Sequence, residues 1–311
     1  MVEGTSVRGG IAVNGVDVFG LGQCSLDYLG KVAAYPAADT KCEFDDLTIQ
    51  GGGPVATALV ALTRWGASTT LAGVVGDDPF GERILASLRD EGVGTEGVIV
   101  RRGDASQFAF IAAEPGEGRR TIFWRRPTGQ EPAADEIDLP RLRAARLFLT
   151  DGLFIEAALA GAKAAREAGL PVVVDAGSLR EGMLELAALS DCFIASEVFA
   201  RALVGRDDPR AACRRIAGLG PDLAAVTLGP KGHVALAGKE WIERPAYSAA
   251  AVDTTGCGDV FHAGFVHGLL AGWETEQSLD FASWAASRVS LSLGGRTGIP
   301  SPAEYPGPTE E

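Results

Sequence analysis

Short apolar runs ending in glycine or a carboxylate alternate along this chain with longer stretches that carry apolar residues at helical spacing. Val16 to Gly22 is a brief apolar run closed by glycines and reads as a first buried strand. Gly51-Gly52-Gly53-Pro54 then opens a helix from Val55 to Trp65, with proline in the first turn, where a missing N–H is tolerated. Ser68 to Val75 predicts another strand, and Gly76-Asp77-Asp78-Pro79-Phe80-Gly81 caps a helix that runs to about Glu91. From Leu147 the alternation becomes regular: strand Leu147 to Thr150, helix Phe154 to Ala168, then strands Pro171 to Asp175, Cys192 to Ala195 and Leu223 to Leu228. Strands spaced in this way predict parallel βαβ units. Helices from Val260 to Ala271 and from Glu276 to Leu293 close the pattern.

Two segments follow a different rhythm. Lys41 to Ile49 alternates apolar and charged residues and reads as a half-exposed strand pair. Gln107 to Ala113 and Arg120 to Arg125 read as strands joined by the turn Pro115-Gly116-Glu117-Gly118. Together these predict a small sheet projecting from the main domain, with Phe108, Phe110 and Trp124 read first as its core, or else as partner or sugar contacts. Arg119, Arg120, Arg125 and Arg126 form a basic cluster there, read either as a solvated hairpin or, with Lys41, as an attractor for an anionic group.

The chemistry concentrates in Val252-Asp253-Thr254-Thr255-Gly256-Cys257-Gly258-Asp259. Val252 ends an extended run, two glycines allow a tight turn, and a helix follows. The first amides of a helix lack internal partners and its dipole favours negative charge, so the amides of Gly256, Cys257 and Gly258 form an anion site. Asp259 in the first turn adds a carboxylate that can accept a proton beside that site. An anion hole with an adjacent base is what phosphoryl transfer to an alcohol requires.

This stretch resembles the C-terminal signature of the ribokinase-like (PfkB-type) carbohydrate kinases, an Asp-Thr-x-Gly-Ala-Gly-Asp core with Phe and Gly at the spacing of Phe261 and Gly264. Cys257 stands where that family usually has alanine. Val75-Gly76-Asp77-Asp78-Pro79-Phe80-Gly81 is similar to its N-terminal signature, with Asp77 and Asp78 read as helix caps. The triple glycine and Gly294-Gly295-Arg296-Thr297-Gly298-Ile299-Pro300 look like the ketohexokinase and sulfofructose-kinase side of the family.

The resemblance spans roughly 16–300. It implies a single doubly wound α/β domain with a mostly parallel sheet, a β lid from about 40–50 and 106–126, and tails over 1–15 and 301–311. It implies transfer of the γ-phosphoryl group of ATP, with Mg²⁺, to a hydroxyl of a ketohexose or related sugar. Asp259 would be the base. Asp27, expected on the loop after the first strand, would position the sugar with Lys41, Gly51, Gly52, Gly53 and Arg120. Thr227, Gly229 and Gly232 would contact ATP, and small residues including Ala286 would leave room for adenine or simply pack closely. Asp253 and Thr255, with Ser292, Gly294 and Gly298, would hold K⁺. Glu197 would act indirectly on Mg²⁺, since Ser196 and Phe199 replace the usual Asn and Glu. The lid implies a homodimer surface.

Composition narrows the alternatives. The net charge of −13 argues against nonspecific nucleic-acid binding and against docking on anionic membranes. Five scattered cysteines without a Cys-x-x-Cys pair point to a reducing, cytoplasmic setting rather than a zinc or disulfide framework. No signal-type segment or spanning run is evident. His233, His262 and His267 show no metal-ligand spacing and read as packing or surface residues. Three other readings stay open: a nucleoside kinase, a catalytically lapsed sugar- or nucleotide-binding regulator, and a hydride-transferring Rossmann enzyme, the last lacking its glycine fingerprint.

Overall fold

Alternation along the first strand, β1 (Val18–Leu21), sets the layering of the molecule: Val18 packs into one hydrophobic core, and Phe19 and Leu21 into the other. The computed structural model describes residues 15–114 and 119–307. The turn expected at 115–118 lies outside them, as do residues 1–14 and 308–311 of the tails expected over 1–15 and 301–311; within the second of these, Pro302–Glu304 form a 3₁₀ turn and Tyr305 packs against Phe281 and Trp284. The remaining strands are β2 (Ser25–Lys31), β3 (Asp46–Gly52), β4 (Thr69–Gly76), β5 (Gly94–Arg101), β6 (Phe108–Glu114), β7 (Arg119–Arg125), β8 (Leu147–Thr150), β9 (Val172–Ala176), β10 (Cys192–Ser196), β11 (Leu223–Thr227), β12 (His233–Ala237) and β13 (Glu240–Arg244). The helices are α1 (Pro54–Arg64), α2 (Pro79–Asp90), α3 (Leu139–Arg143), α4 (Ile155–Glu167), α5 (Met183–Ala188), α6 (Glu197–Val204), α7 (Pro209–Ala217), α8 (Cys257–Ala271) and α9 (Thr275–Val289).

Nine strands form the main sheet in the order β13-β12-β11-β10-β9-β8-β1-β4-β5. Pairing is parallel from β5 to β11, and β12 and β13 make an antiparallel edge. Helices α1, α8 and α9 cover one face, and α4 to α7 the other. Phe19 and Phe148 meet at 6.3 Å between ring centroids in the second core. Burying each such ring contributes roughly 1.5–3 kcal/mol. Strand order reverses direction at β1, between β4 on one side and β8 on the other. In open α/β sheets ligands bind outside the carboxyl ends of the strands at such a point.

The lid differs from its sequence-based outline. It is a four-stranded sheet in the order β3-β2-β6-β7. Its central strand β2 carries Asp27, which therefore lies on a strand and not on a loop. Leu26 packs into the first core from one face of β2, and the opposite face carries Ser25, Asp27 and the buried Leu29. The expected strand pair from Lys41 contains one strand, which begins at Asp46, and Lys41 sits exposed in the irregular stretch before it. Trp124, expected in the lid core, is 52% exposed. Its cross-strand partner is Ala109, which in turn pairs toward Asp27, so Trp124 stands on the same lid face as Asp27.

Two further boundaries moved. Val252 ends no strand: its N–H and that of Asp253 donate to the Ser290 carbonyl at the end of α9. Helix α8 begins at Cys257 instead of Val260, because Gly256 adopts a left-handed conformation that starts it early.

Candidate active site

Gly256 caps α8 at φ 77°, a region that favours glycine, and a Cβ there would run into the Gly295 backbone. The turn and the loop after α9 thus close on each other. Asp253 ties the same two segments. It is fully buried, accepts from the Thr255 N–H and hydroxyl at 2.9 and 2.8 Å, and accepts from the Gly294 N–H at 2.9 Å. Gly258 at the helix start is exposed, with open space where a side chain would be.

Asp259 is half-buried in the first turn of α8. Loss of water around its carboxyl, then the charge of Asp175, and to a smaller extent those of Asp27 and Asp151, raise its pKa well above the ordinary carboxylate value; the Arg120 guanidinium opposes them. The acid is thus a stronger base than a surface aspartate.

Asp151, which no sequence motif marks, and Asp175, in the Asp175–Arg180 segment, both stand at carboxyl ends of parallel strands, where open α/β sheets bind ligands. Asp151 is buried and accepts from the Gln23 N–H and the Leu153 N–H, both at 2.9 Å, joining the loops after β1 and β8. Burial pushes its pKa up to about 6 against those two bonds. Burial likewise raises Asp175, which lies 3.4 Å from Nδ1 of the buried His262. The His262 ring also faces the Gly258 and Ile194 carbonyls at 2.6 and 3.3 Å, so this histidine supports the start of α8.

Asp27 forms the opposite wall. Its carboxylate is 7% exposed and accepts from the Ser25 hydroxyl at 2.8 Å. Burial raises its pKa, with Ser25 and Arg296 opposing. A Cβ on Gly52 would overlap this carboxylate, and Gly53 at φ 95° caps α1, so the three-glycine loop is shaped by what surrounds Asp27. Arg120, on β7, donates to the Thr254 hydroxyl and so reaches the turn. The structure does not bring Lys41 into the cluster: among the described residues it has no ion-pair partner.

The expected nucleotide side is a separate group at the end of β11. Thr227 pairs with Ser196 in the sheet and donates to the Ala195 carbonyl at 3.4 Å. Gly229 opens a 3₁₀ turn with free space beside it, whereas Gly232 lies against the Arg244 backbone. Ser196 caps α6, and Phe199 is buried against Phe193. Glu197 is held by Lys231 at 3.1 Å and Arg201 at 3.6 Å. Ala286 is half-buried on α9, which packs along α8. Gly298 approaches Ser292 in the loop that also carries Gly294. Asp78 caps α2, accepting from Gly81 at 2.8 Å, whereas Asp77, expected as a cap, accepts from Gly103 at 2.7 Å in the turn after β5 and caps no helix.

The chain is similar to known proteins along almost its whole length. The model of the pfkB family carbohydrate kinases matches residues 17–302. The chain is 26% identical to fructokinase-1 of Zea mays over 92% of its length and 95% of the relative's. It is 28% identical to the ATP-dependent ribose-1-phosphate kinase of Halopiger xanaduensis, covering 91% and 94% of the two chains. The structure of a putative ribokinase from Agrobacterium tumefaciens superposes with a TM-score of 0.86 at 27% identity, covering 94% and 96% of the two chains. No helix among the described residues is long and apolar enough to cross a membrane. With the signature turn, the switch-point carboxylates and the lid in one cleft, and a family match along almost the whole chain, this protein belongs to the pfkB family and is an ATP-dependent carbohydrate kinase.

Proposed function

We propose that the protein transfers the γ-phosphoryl group of ATP to a hydroxyl of a small sugar, a ketohexose or a close relative. The observation that carries this reading is the placement of Asp259. It stands beside the 256–258 turn, in the first turn of α8, and within electrostatic reach of Asp27 and the lid arginine Arg120. The sugar O–H proton passes to the Asp259 carboxylate as its oxygen bonds the γ-phosphorus, and the bond to ADP breaks. Burial and Asp175 strengthen the base, while the Arg120 guanidinium favours its charged form. The amides of Gly256, Cys257 and Gly258 stabilise charge on the group in transit. Asp27 and the 51–53 loop orient the sugar, and the lid face bearing Arg120, Ile122 and Trp124 excludes water.

ATP would lie between the turn at Thr227, Gly229 and Gly232 and the small residues around Ala286. Among the described residues no group of His, Cys, Asp and Glu is arranged to cage a metal ion, so Mg²⁺ would enter on the nucleotide's phosphates and neutralise them, with Glu197 acting at most through water. The buried Asp253, with Thr255 and the loop carrying Ser292, Gly294 and Gly298, offers an all-oxygen set that fits K⁺, which would add positive charge beneath the turn. The outer lid face exposes Leu47, Ile49 and Phe123, and we assign it to a homodimer, to be checked by sedimentation.

The deciding experiment incubates the protein with ATP and Mg²⁺, in KCl or NaCl, and D-fructose, D-ribose, ribose 1-phosphate or adenosine. Products are read by mass. A phosphorylated free sugar supports the reading. Transfer to adenosine alone favours a nucleoside kinase, and ATP binding without transfer to any acceptor favours a regulator.

A further inference from the structure

Arg296 is 3% exposed and lies in the loop after α9, outside every role assigned above. Its Nη1 donates to the Ser87 hydroxyl at 3.2 Å and its Nη2 to the Gly52 carbonyl at 3.4 Å, while its Nε has no partner among the described residues. Its backbone N–H donates to Gln50 Oε1 at 3.2 Å, and its carbonyl accepts from Arg64, which is itself paired with Glu91. A Cβ on Gly51 would fall on this guanidinium, and a Cβ on Gly52 would fall on the Asp27 carboxylate. The two charges thus sit against neighbouring glycines at the end of one strand, β3.

An arginine buried this far is costly unless carboxylates compensate. Asp27 and Glu91 do so here. The charged groups that act on Asp27 are Arg296, Asp253 and Asp259, and Arg296 is the cation among them.

We propose that Arg296 is a positioning residue for the acceptor, holding Gly52 and the Asp27 carboxylate in the geometry that grips a sugar hydroxyl. The inference rests on the reading of Asp27 as an acceptor ligand. It gives the loop after α9 a second task, since that loop also meets Asp253 through Gly294.

The test compares Arg296→Met, Arg296→Lys, Asp27→Asn and the Asp27→Asn/Arg296→Met double variant, with D-fructose and D-ribose as acceptors. Arg296→Met should raise the sugar KM about tenfold or more and leave the ATP KM within about twofold. In the Asp27→Asn background the same change should add less than about twofold. A second readout needs no acceptor: in protein labelled with ¹³C at aspartate, the Asp27 titration midpoint should rise by about one pH unit in Arg296→Met and return in Arg296→Lys. Sugar and ATP KM rising together, or an unmoved Asp27 midpoint, overturns the proposal. If Arg296→Met does not fold, an unchanged sugar KM in Arg296→Lys overturns it. Asp27→Asn with normal sugar KM refutes the reading of Asp27 itself, which is distinguishable from an effect of Asp27→Asn that Arg296→Met fails to reproduce.

Discussion

Arg120, on the edge strand of the lid, donates a hydrogen bond to Thr254, in the turn that leads into α8. One side chain therefore spans from the lid to the turn beside Asp259. The same guanidinium opposes the burial that raises Asp259 and Cys257. Lid position and proton affinity at the candidate base are linked through it.

Removing that link has a defined consequence. In Arg120→Ala, Asp259 loses the cation that favours its charged form, so the acidic limb of the kcat profile should move to higher pH. Turnover at pH 7 should fall about tenfold or more. Arg120 is exposed, so the melting temperature should stay near that of the parent. A pH–rate profile with thermal melts checks both. An unmoved acidic limb removes Arg120 from the chemistry.

Asp259→Asn should fold and lose about 10²–10⁴ of kcat. The native state binds the Asp259 proton more tightly than the unfolded chain does, because burial and Asp175 raise its pKa. Parent stability on this account falls as pH rises from the ordinary carboxylate value through the raised one. The variant lacks that loss. It should therefore melt above the parent at neutral pH and with it near pH 4. Near-normal turnover in this variant would contradict the proposed base.

Cys257 separates a backbone role from a side-chain role. Burial pushes its thiol up to about 12, so it is neutral at pH 7 and a poor nucleophile. If only its amide matters, Cys257→Ala keeps turnover within about twofold, and iodoacetamide reacts slowly with the parent. A large loss in the alanine variant would give the sulfur a task that the turn geometry does not require.

The signature turn, the parallel strands and the helix caps were legible because each is local. Val252 to Asp259 carries its own glycines, and Leu147–Thr150 was bounded to the residue by its apolar run. What stayed hidden depends on distant partners. Strand β2 carries a polar–apolar alternation over Ser25-Leu26-Asp27-Tyr28, but the strands that pair with it, β3 and β6, lie far along the chain. Asp151 lacks a motif and gains its place from the Gln23 amide, which lies far away in sequence. Arg296 was visible within a glycine-rich motif, but nothing local says that its guanidinium folds back against Gly51 and Ser87. Lys41 was singled out by its place in the resembled family's pattern, and the structure holds it exposed in the irregular stretch before β3.

His233 opens β12 with its ring 5.5 Å from Phe261, 1% exposed, and neither ring nitrogen has a partner among the described residues. Burial lowers its pKa to about 4, with Arg244 acting the same way and Asp280 opposing. Above about pH 6.5 both the native and unfolded forms are neutral, and the ring contributes no pH dependence. As pH falls from there to about 4 the unfolded chain takes up a proton that the native state refuses, so stability declines across that window. His233→Leu removes the titration and leaves no unpaired nitrogen. It should gain about 1 kcal/mol or more at pH 7 by relieving the unsatisfied polar atoms. Its melting temperature should also fall less than the parent's between pH 6.5 and 4. Melts across that range decide the matter. Parallel curves for the two proteins would mean that the buried ring finds a partner, such as an ordered water, that holds its proton as well as solvent does.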